Sequence, residues 1–572
     1  MKVFLRGKRH PVTLSKSDFV TQGGEASIYI KQDTVFKVHL DRNRVTSEAK
    51  IVELKELDCE EIIRPFDLLV DQTDRPIGVT MRFVKDAIAL CKLFTTDFWR
   101  RNGIGVSDIS HIVDYIRKTI AFIHSHKGFL IVDGNEFNYL VGPKMLGAKK
   151  SAFDVPYFID VDSYQTPSFP ATAIMATVKD WHTKGFDHGS DWFSFAVVAF
   201  QLFAGIHPYR GRHPDFQKGD MESRMKANVS VFHKDVSCPP PMRPISSIPG
   251  NYAQWFLDVF ELGKRTEPPK VSGKAEAVEV TAAVVGAMDS FEIKKIGQFQ
   301  SEILYYGMNG QDEIVKLADG SIFINKKRYA NMEGYEVVFS PKTRTPFFLK
   351  LSDGLIYTNG FTGSVKVPAK DMMVIEDRYY TLSQEKLFEW SIFEPLPGQF
   401  IPHGITQTMN VLPHATTMFS GVVHMNVLGV HHFIMPEPGV KSGEAGKFHM
   451  KELRELDGHR IIDAKRIETV LAVTSHKGGK YNRFIFRFSQ EKTHDVMTFN
   501  DIPYAGINMA VIKSRGVLLI VDPDGVLSLM KARPHMKPAM QFKGFDPNVR
   551  LYATGTKAVF TKGNALYSIS MK

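Results

Sequence analysis

At 572 residues, with 43% apolar and 23% charged side chains, the chain has the make-up of an ordinary globular protein and can fill two large domains or three to four smaller ones, which excludes a disordered or fibrous class. Its 72 basic and 62 acidic residues leave a formal charge of +10 with no basic run longer than residues 326–328, so nucleic-acid binding is permitted but not indicated. The longest apolar run, residues 194–206, is too short to cross about 30 Å of bilayer; the start, MKVFLRGKRHPV, lacks a signal-peptide core, and three distant cysteines (Cys59, Cys91, Cys238) cannot build a disulfide framework or zinc cluster, so a cytoplasmic, non-membrane protein is expected.

Residues 12–83 read as short β-branched strands broken by Gly and Asp, with one helical stretch at 47–57. From 107 to about 262 the pattern is mainly helical. Ile109, Ile112, Val113, Ile116, Ile120 and Ile123 recur at helical spacing, after Ser107 or Asp108 as candidate caps and before Gly128 as a stop, which predicts one long helix with one buried face. Residues 191–204, DWFSFAVVAFQLFA, are apolar nearly all round and predict a helix buried on every side. A small β lobe (about 1–84) therefore precedes a helical lobe (about 85–265), and the Pro268-Pro269 pair with the small residues after it marks a linker at 266–290.

Beyond the linker, residues 291–572 hold short alternating strands and frequent glycines. KLADGSIFI at 316–324 and KLSDGLIYT at 350–358 are one phrase repeated 34 residues apart. The same turn before an apolar strand recurs near Glu385, His431, Asn482, Asp524 and Asn564. Seven turns at about 41 residues each match the four-stranded blade of a β-propeller, whereas a β-sandwich predicts no phrase at that period. Closure is expected between the first strand after Ser290 and the final ALYSISMK. His403, His414, His424, His431 and His432 read as structural, because His431 and His432 point to opposite faces of a strand.

Several polar residues of the first half carry potential chemistry. Gly23-Gly24, in TQGGEASIY, lies between two strands where glycine lets backbone N–H groups approach phosphate oxygens. Lys37 shares a strand face with Val35, and Glu48 lies on the following helix. After the long helix, LIVDGNEFNYLV places Asn138 five residues beyond Asp133, and FIDVDS ends a second strand at Asp160. Two such loops can supply a base and oxygen ligands for Mg²⁺, which prefers hard donors.

In this order the motifs resemble the protein kinase superfamily over residues 12–265, including SDWFSFAVVAFQLFAGIHPYRG as the family's buried helix, with Asp191 in the place of the aspartate that braces the catalytic loop. The resemblance implies a two-lobed α+β kinase-like domain followed by an all-β propeller of about seven blades. It implies that ATP sits against Gly23, Gly24, Ala26, Ile28, Val35, Lys37, Met81, Arg82 and Val84, that Glu48 fixes Lys37, that Asp133 orients the attacking hydroxyl, and that Asn138 and Asp160 hold Mg²⁺. The departures are Thr21 and Ala26 at two of three glycine positions, Ile131-Val132 for His-Arg, Asn135 for the usual lysine, and Asp160-Val161-Asp162 for Asp-Phe-Gly. Such forms look more like divergent bacterial and phage kinases, some encoded beside a phosphatase and a von Willebrand-type protein.

Two functions compete on these residues. One is a serine/threonine kinase whose propeller recruits its protein substrate or a partner; the other is a pseudokinase, a nucleotide-binding or purely structural module that forms a scaffold in a phage particle or a bacterial signalling complex. Retention of Lys37, Glu48, Asp133, Asn138 and Asp160 favours the first, and Asn135 with the thin glycine loop favours the second.

Overall fold

Short apolar runs at the start of the chain form a seven-stranded sheet; the structure, a computed structural model, describes all residues except 144–152, 172, 218, 239–241, 273–290, 360–366, 384, 440–443, 490–492, 503–505, 513–515, 523–524, 531–537, 543–544, 546–548, 556 and 572. Strands β1 (Lys2–Leu5), β2 (Val12–Thr13), β3 (Phe19–Gln22), β4 (Ala26–Lys31), β5 (Thr34–His39), β6 (Pro65–Val70) and β7 (Pro76–Arg82) lie in the order β2-β1-β6-β7-β5-β4-β3, all antiparallel. Ile28 pairs with Lys37, Lys37 with Val79, and Val35 with both Ile30 and Met81. Paired residues share a face, so Ile28, Val35, Lys37 and Met81 line one side while Phe36 and Leu69 pack on the other.

Helix α1 (Glu48–Leu54) is capped by Ser47, whose hydroxyl accepts the Lys50 N–H at 3.2 Å, and it buries Ile51 and Leu54. The rest of the first half holds α2 (Thr96–Asn102), α3 (Val106–His124), α4 (His188–Ala204), α5 (Met221–Lys226) and α6 (Gly250–Phe260), with a small sheet of β8 (Ile88–Ala89), β9 (Tyr139–Gly142) and β10 (Val155–Phe158). The isoleucine stripe of α3 is buried as its spacing predicts. Its cap differs: Gly105 holds the N-cap position, and Asp108 acts from inside the helix by accepting the Gly105 N–H at 2.8 Å. In α4 every residue from Ser190 to Ala204 is buried, and Gly205 ends the helix at φ 81°, where a side chain would be strained.

The second half is seven antiparallel four-stranded sheets in succession. Six are built from consecutive strands, spanning 303–329, 336–368, 371–410, 416–452, 460–502 and 509–542, and are numbered blades 1 to 6. Blade 7 combines three strands within 550–571 with Phe291–Gln298, which pairs antiparallel with Ala565–Met571. Seven buried apolar clusters each join two successive blades, the last joining blade 7 to blade 1 through Val559, Leu566, Ile303 and Val315, so the ring is closed. This is a seven-bladed β-propeller, closed by the strands that its sequence places at the two ends. The repeated phrase is the turn from the second to the third strand of a blade: Gly320 and Gly354 take φ of 77° and 73° there. The turns near Glu385, His431, Asn482 and Asn564 fall between the same strand pair; the one read at Asp524 lies outside the described residues, as does most of the linker, at 273–290.

The histidines of blade 4 are structural. His424 Nε2 and His431 Nδ1 share a hydrogen bond of 2.9 Å inside the blade, while the side chain of His403 lies outside the described residues. Burial, with the neighbouring His431 and His432, pushes His424 down to about 3, and burial likewise pushes His207 down to about 3. These groups are neutral when folded and take up a proton on unfolding below their ordinary value of about 6.5. The unfolded chain then binds more protons, so stability is complete above about pH 6.5 and falls towards pH 3. Thermal melting followed from pH 7 to pH 4 should show a steady fall that His424→Gln makes shallower; a level profile would contradict it.

Candidate active site

The face of the sheet that carries Lys37 looks onto the segment after β10. Lys37 is 7% exposed, and its Nζ donates to Asp160 Oδ1 at 2.5 Å and to Asp162 Oδ1 and Oδ2 at 3.0 and 2.8 Å. Burial alone would lower the lysine, but the two carboxylates outweigh it and hold the ammonium protonated. Burial raises Asp162 as well, yet the Lys37 charge holds this carboxyl below its usual range, whereas Asp160 is raised by burial and by the Asp162 charge beside it. Asp160 sits at φ 61° before a short 3₁₀ turn (Val161–Ser163), an unusual conformation for a residue other than glycine that aims both acids at one lysine.

Glu48 does not fix Lys37. It is the first residue of α1, which packs on β6, and its carboxylate is 64% exposed and lies 3.3 Å from Arg6, in the turn after β1. Helix α1 instead sends Lys50 inward, where Nζ donates to the Asp162 carbonyl at 2.8 Å. Asp162 thus occupies the place that the resemblance gave to the helix glutamate, with Thr46 Oγ1 at 3.4 Å and His39 Nε2 at 3.9 Å from it.

Gly23 and Gly24 form the exposed turn between β3 and β4, closed by the Gly23 N–H donating to the Ala26 carbonyl at 2.9 Å. Ala26, Ile28 and Val35 line the sheet below that turn, Met81 and Arg82 end β7, and Val84 is buried in the segment that follows. Register places Ala26, Ile28, Val35 and Met81 on the Lys37 face, and Val84 joins the buried cluster of Val79 and Met81 there. The side chain of Arg82 turns to the Glu60 carbonyl.

The loop after α3 is held from below by Asp191 at the start of α4. Its carboxylate accepts the Ile131 and Val132 N–H groups, both at 2.8 Å, and meets His124 Nε2 at 2.9 Å. The Asp191 assignment therefore agrees with the geometry. Val132 is driven to φ 64°, a strained conformation for a β-branched residue that persists only where its surroundings impose it. Asp133 follows, and its Oδ1 accepts the Met175 N–H at 2.9 Å. Asn138 donates from Nδ2 to the Asp133 carbonyl at 2.8 Å, while its own carbonyl accepts the Ile159 N–H at 3.0 Å, which places it beside Asp160. Asn135 is used within the loop, accepting the Phe137 N–H at 2.9 Å.

The donor set fits a small hard cation. Asn138 spends its amide N–H on the loop and retains an oxygen, and Asp160 retains Oδ2 beyond the oxygen bound by Lys37. Bound there, Mg²⁺ would supply charge neutralisation for phosphate oxygens. Sequence reasoning missed Asp162, Lys50 and the Met175 amide. The Asp-x-Asp spacing of FIDVDS was the one available signal for Asp162; the other two depend on tertiary placement. Among the described residues, His213, His233 and Asp235 also have potential ligand atoms within 4.8 Å of one another. Both imidazoles, however, use Nδ1 to accept a backbone N–H, from Asp215 and Asp235 at 3.2 and 3.3 Å, which leaves the proton on Nε2.

The chain matches no protein-family model, and no curated protein matches it significantly. Among solved structures it is similar to Hsv2 from Kluyveromyces lactis, in one structure with a TM-score of 0.30 and 12% identity and in another with 0.29 and 13%, each likeness covering 48% of this chain and 98% of the other. Likenesses so slight carry no argument, and the propeller rests on its own strand pairing. No helix among the described residues is long and apolar enough to cross a membrane.

Proposed function

We propose that the first half is a protein kinase-like domain that transfers the γ-phosphoryl group of ATP to a serine or threonine hydroxyl, and that the propeller recruits the protein that carries it. The observation that supports this most is the Lys37–Asp160 pair, which joins the inner face of the sheet to the segment beside Asn138. In this reading Lys37 orients the phosphates, Asp160 and Asn138 hold the metal, Asp133 orients the acceptor hydroxyl, and the nucleotide base packs on Ile28, Val35 and Met81. Phosphoryl transfer asks little covalent help of a protein, only in-line placement and neutralisation of charge, and these groups can supply both.

A second reading, a nucleotide-binding scaffold without transfer, is favoured by the Met175 N–H on the Asp133 carboxylate and by the double hold on Lys37. Binding is the step common to both. At a hundredfold excess over the dissociation constant, Mg²⁺-ATP should stabilise the chain by about 2.7 kcal/mol, read as an upward shift of the melting transition that Lys37→Ala removes. No shift at millimolar Mg²⁺-ATP would count against both readings, and a shift without transfer of label would select the scaffold.

A further inference from the structure

Blade 5 sits on the loop that carries Asp133 and Asn138. Between those residues lie Glu136 and Phe137, 4% and 7% exposed. Tyr481, on the third strand of the blade, donates its hydroxyl to Glu136 Oε1 at 3.1 Å. The Phe137 ring lies 4.2 Å from the ring of His476 and 4.8 Å from the guanidinium of Arg460. Gly479, in the adjoining turn, lies against Met175 and Thr177, the segment whose amide meets Asp133. Ile462 and Tyr481 belong to the same buried cluster as Ile131, Phe137 and the cores of α3 and α4. At the rim, Arg210 reaches Asp501 Oδ1 at 2.8 Å.

This contact differs from the polar, mobile boundary expected between domains joined only by a linker. Its buried part falls on two of the four residues between the acid and the amide that the proposed chemistry uses, while neither Glu136 nor Phe137 has a part in that chemistry. We propose that Tyr481, with His476 and Arg460, acts as a positioning group for Asp133 and Asn138, fixing their loop from the propeller side as Asp191 fixes it from the helical side. The proposal rests on the phosphotransfer reading. Asp191 grips residues 131 and 132 and blade 5 grips 136 and 137, so the strained turn at Val132 and the acid after it are held at both ends. A reacting group held to a fraction of an ångström needs such support from its neighbours. The active site is then completed by the second half of the chain, which is more than a carrier of substrate.

Tyr481→Phe in the full chain tests this, because it removes one hydroxyl and keeps the ring in the core. Losing that hydrogen bond should speed amide exchange at 133–138 by about tenfold. Turnover of labelled phosphate should fall by a similar factor while KM for ATP stays as in the parent chain and the melting temperature falls by no more than about 2 °C, a split that a general structural defect would not give. Arg460→Lys, which keeps the charge but loses the flat contact with Phe137, should change both in the same direction. Unchanged exchange at 133–138 in both variants would overturn the proposal. So would turnover that is unchanged, and turnover that rises would show that blade 5 blocks the site. If the parent chain neither binds Mg²⁺-ATP nor transfers label, the phosphotransfer reading falls and the exchange comparison alone decides whether blade 5 holds the loop.

Discussion

Asp133→Ala should lower phosphate transfer by about 10³-fold, the range for loss of a general base, while leaving Mg²⁺-ATP binding intact; Asp160→Ala should weaken both. The difference follows from where the two acids point. Among the described residues the Asp133 carboxylate meets the Met175 amide, on the loop side of the site, whereas Asp160 touches Lys37 and keeps an oxygen beside Asn138. Removing Asp133 frees one backbone N–H, a cost of about 1 kcal/mol, so the variant should remain folded and its binding measurable. Removing Asp160 leaves Lys37 on Asp162 alone and takes away a donor of the proposed metal site. Calorimetric titration with Mg²⁺-ATP beside a label-transfer assay separates the two. Full transfer by Asp133→Ala would mean that this loop is not catalytic.

Deletion of residues 563–572 should open the ring. The strand Ala565–Met571 lies between Phe291–Gln298 and Ala558–Lys562, so its loss breaks blade 7 in the middle. Leu566 and Ile569, 3% and 5% exposed, belong to the clusters that join blade 7 to blade 1 and to blade 6. Each such side chain is worth about 2–5 kcal/mol when removed from a core, and together with a lost strand they equal much of the 5–15 kcal/mol that holds an ordinary domain. Two unpaired strand edges would then face solvent and template aggregation. Light scattering and calorimetry should show association and a broad, early transition; a transition as sharp and as high as that of the full chain would rule out this closure.

The parts of this fold that were legible in the sequence are those fixed by local patterning. The isoleucine stripe of α3 and the all-apolar α4 could be read because a helix repeats its environment every few residues. The propeller was legible because one turn recurs at blade period, and even its closing strand could be named. The Asp191 brace was legible only as what the family resemblance of the α4 segment implied, and its two backbone N–H bonds agree with it. Glu48 was misplaced because spacing shows that a carboxylate lies on α1 but not how a two-turn helix is rotated, nor that its first residue lands beside Arg6, after β1. Asp162 took its role through a left-handed turn at Asp160 that composition does not announce. The bond between Tyr481 and Glu136 spans 345 residues, and no local pattern carries it.

The most direct test of the site is a crystal structure of the full chain with Mg²⁺ and a non-hydrolysable ATP analogue. The phosphates should lie between Lys37 and the Asn138–Asp160 pair, with the base against Ile28, Val35 and Met81 and blade 5 still seated on Glu136. A nucleotide bound elsewhere, or none bound at millimolar concentration with Lys37 still closed on Asp160 and Asp162, would contradict the assignment.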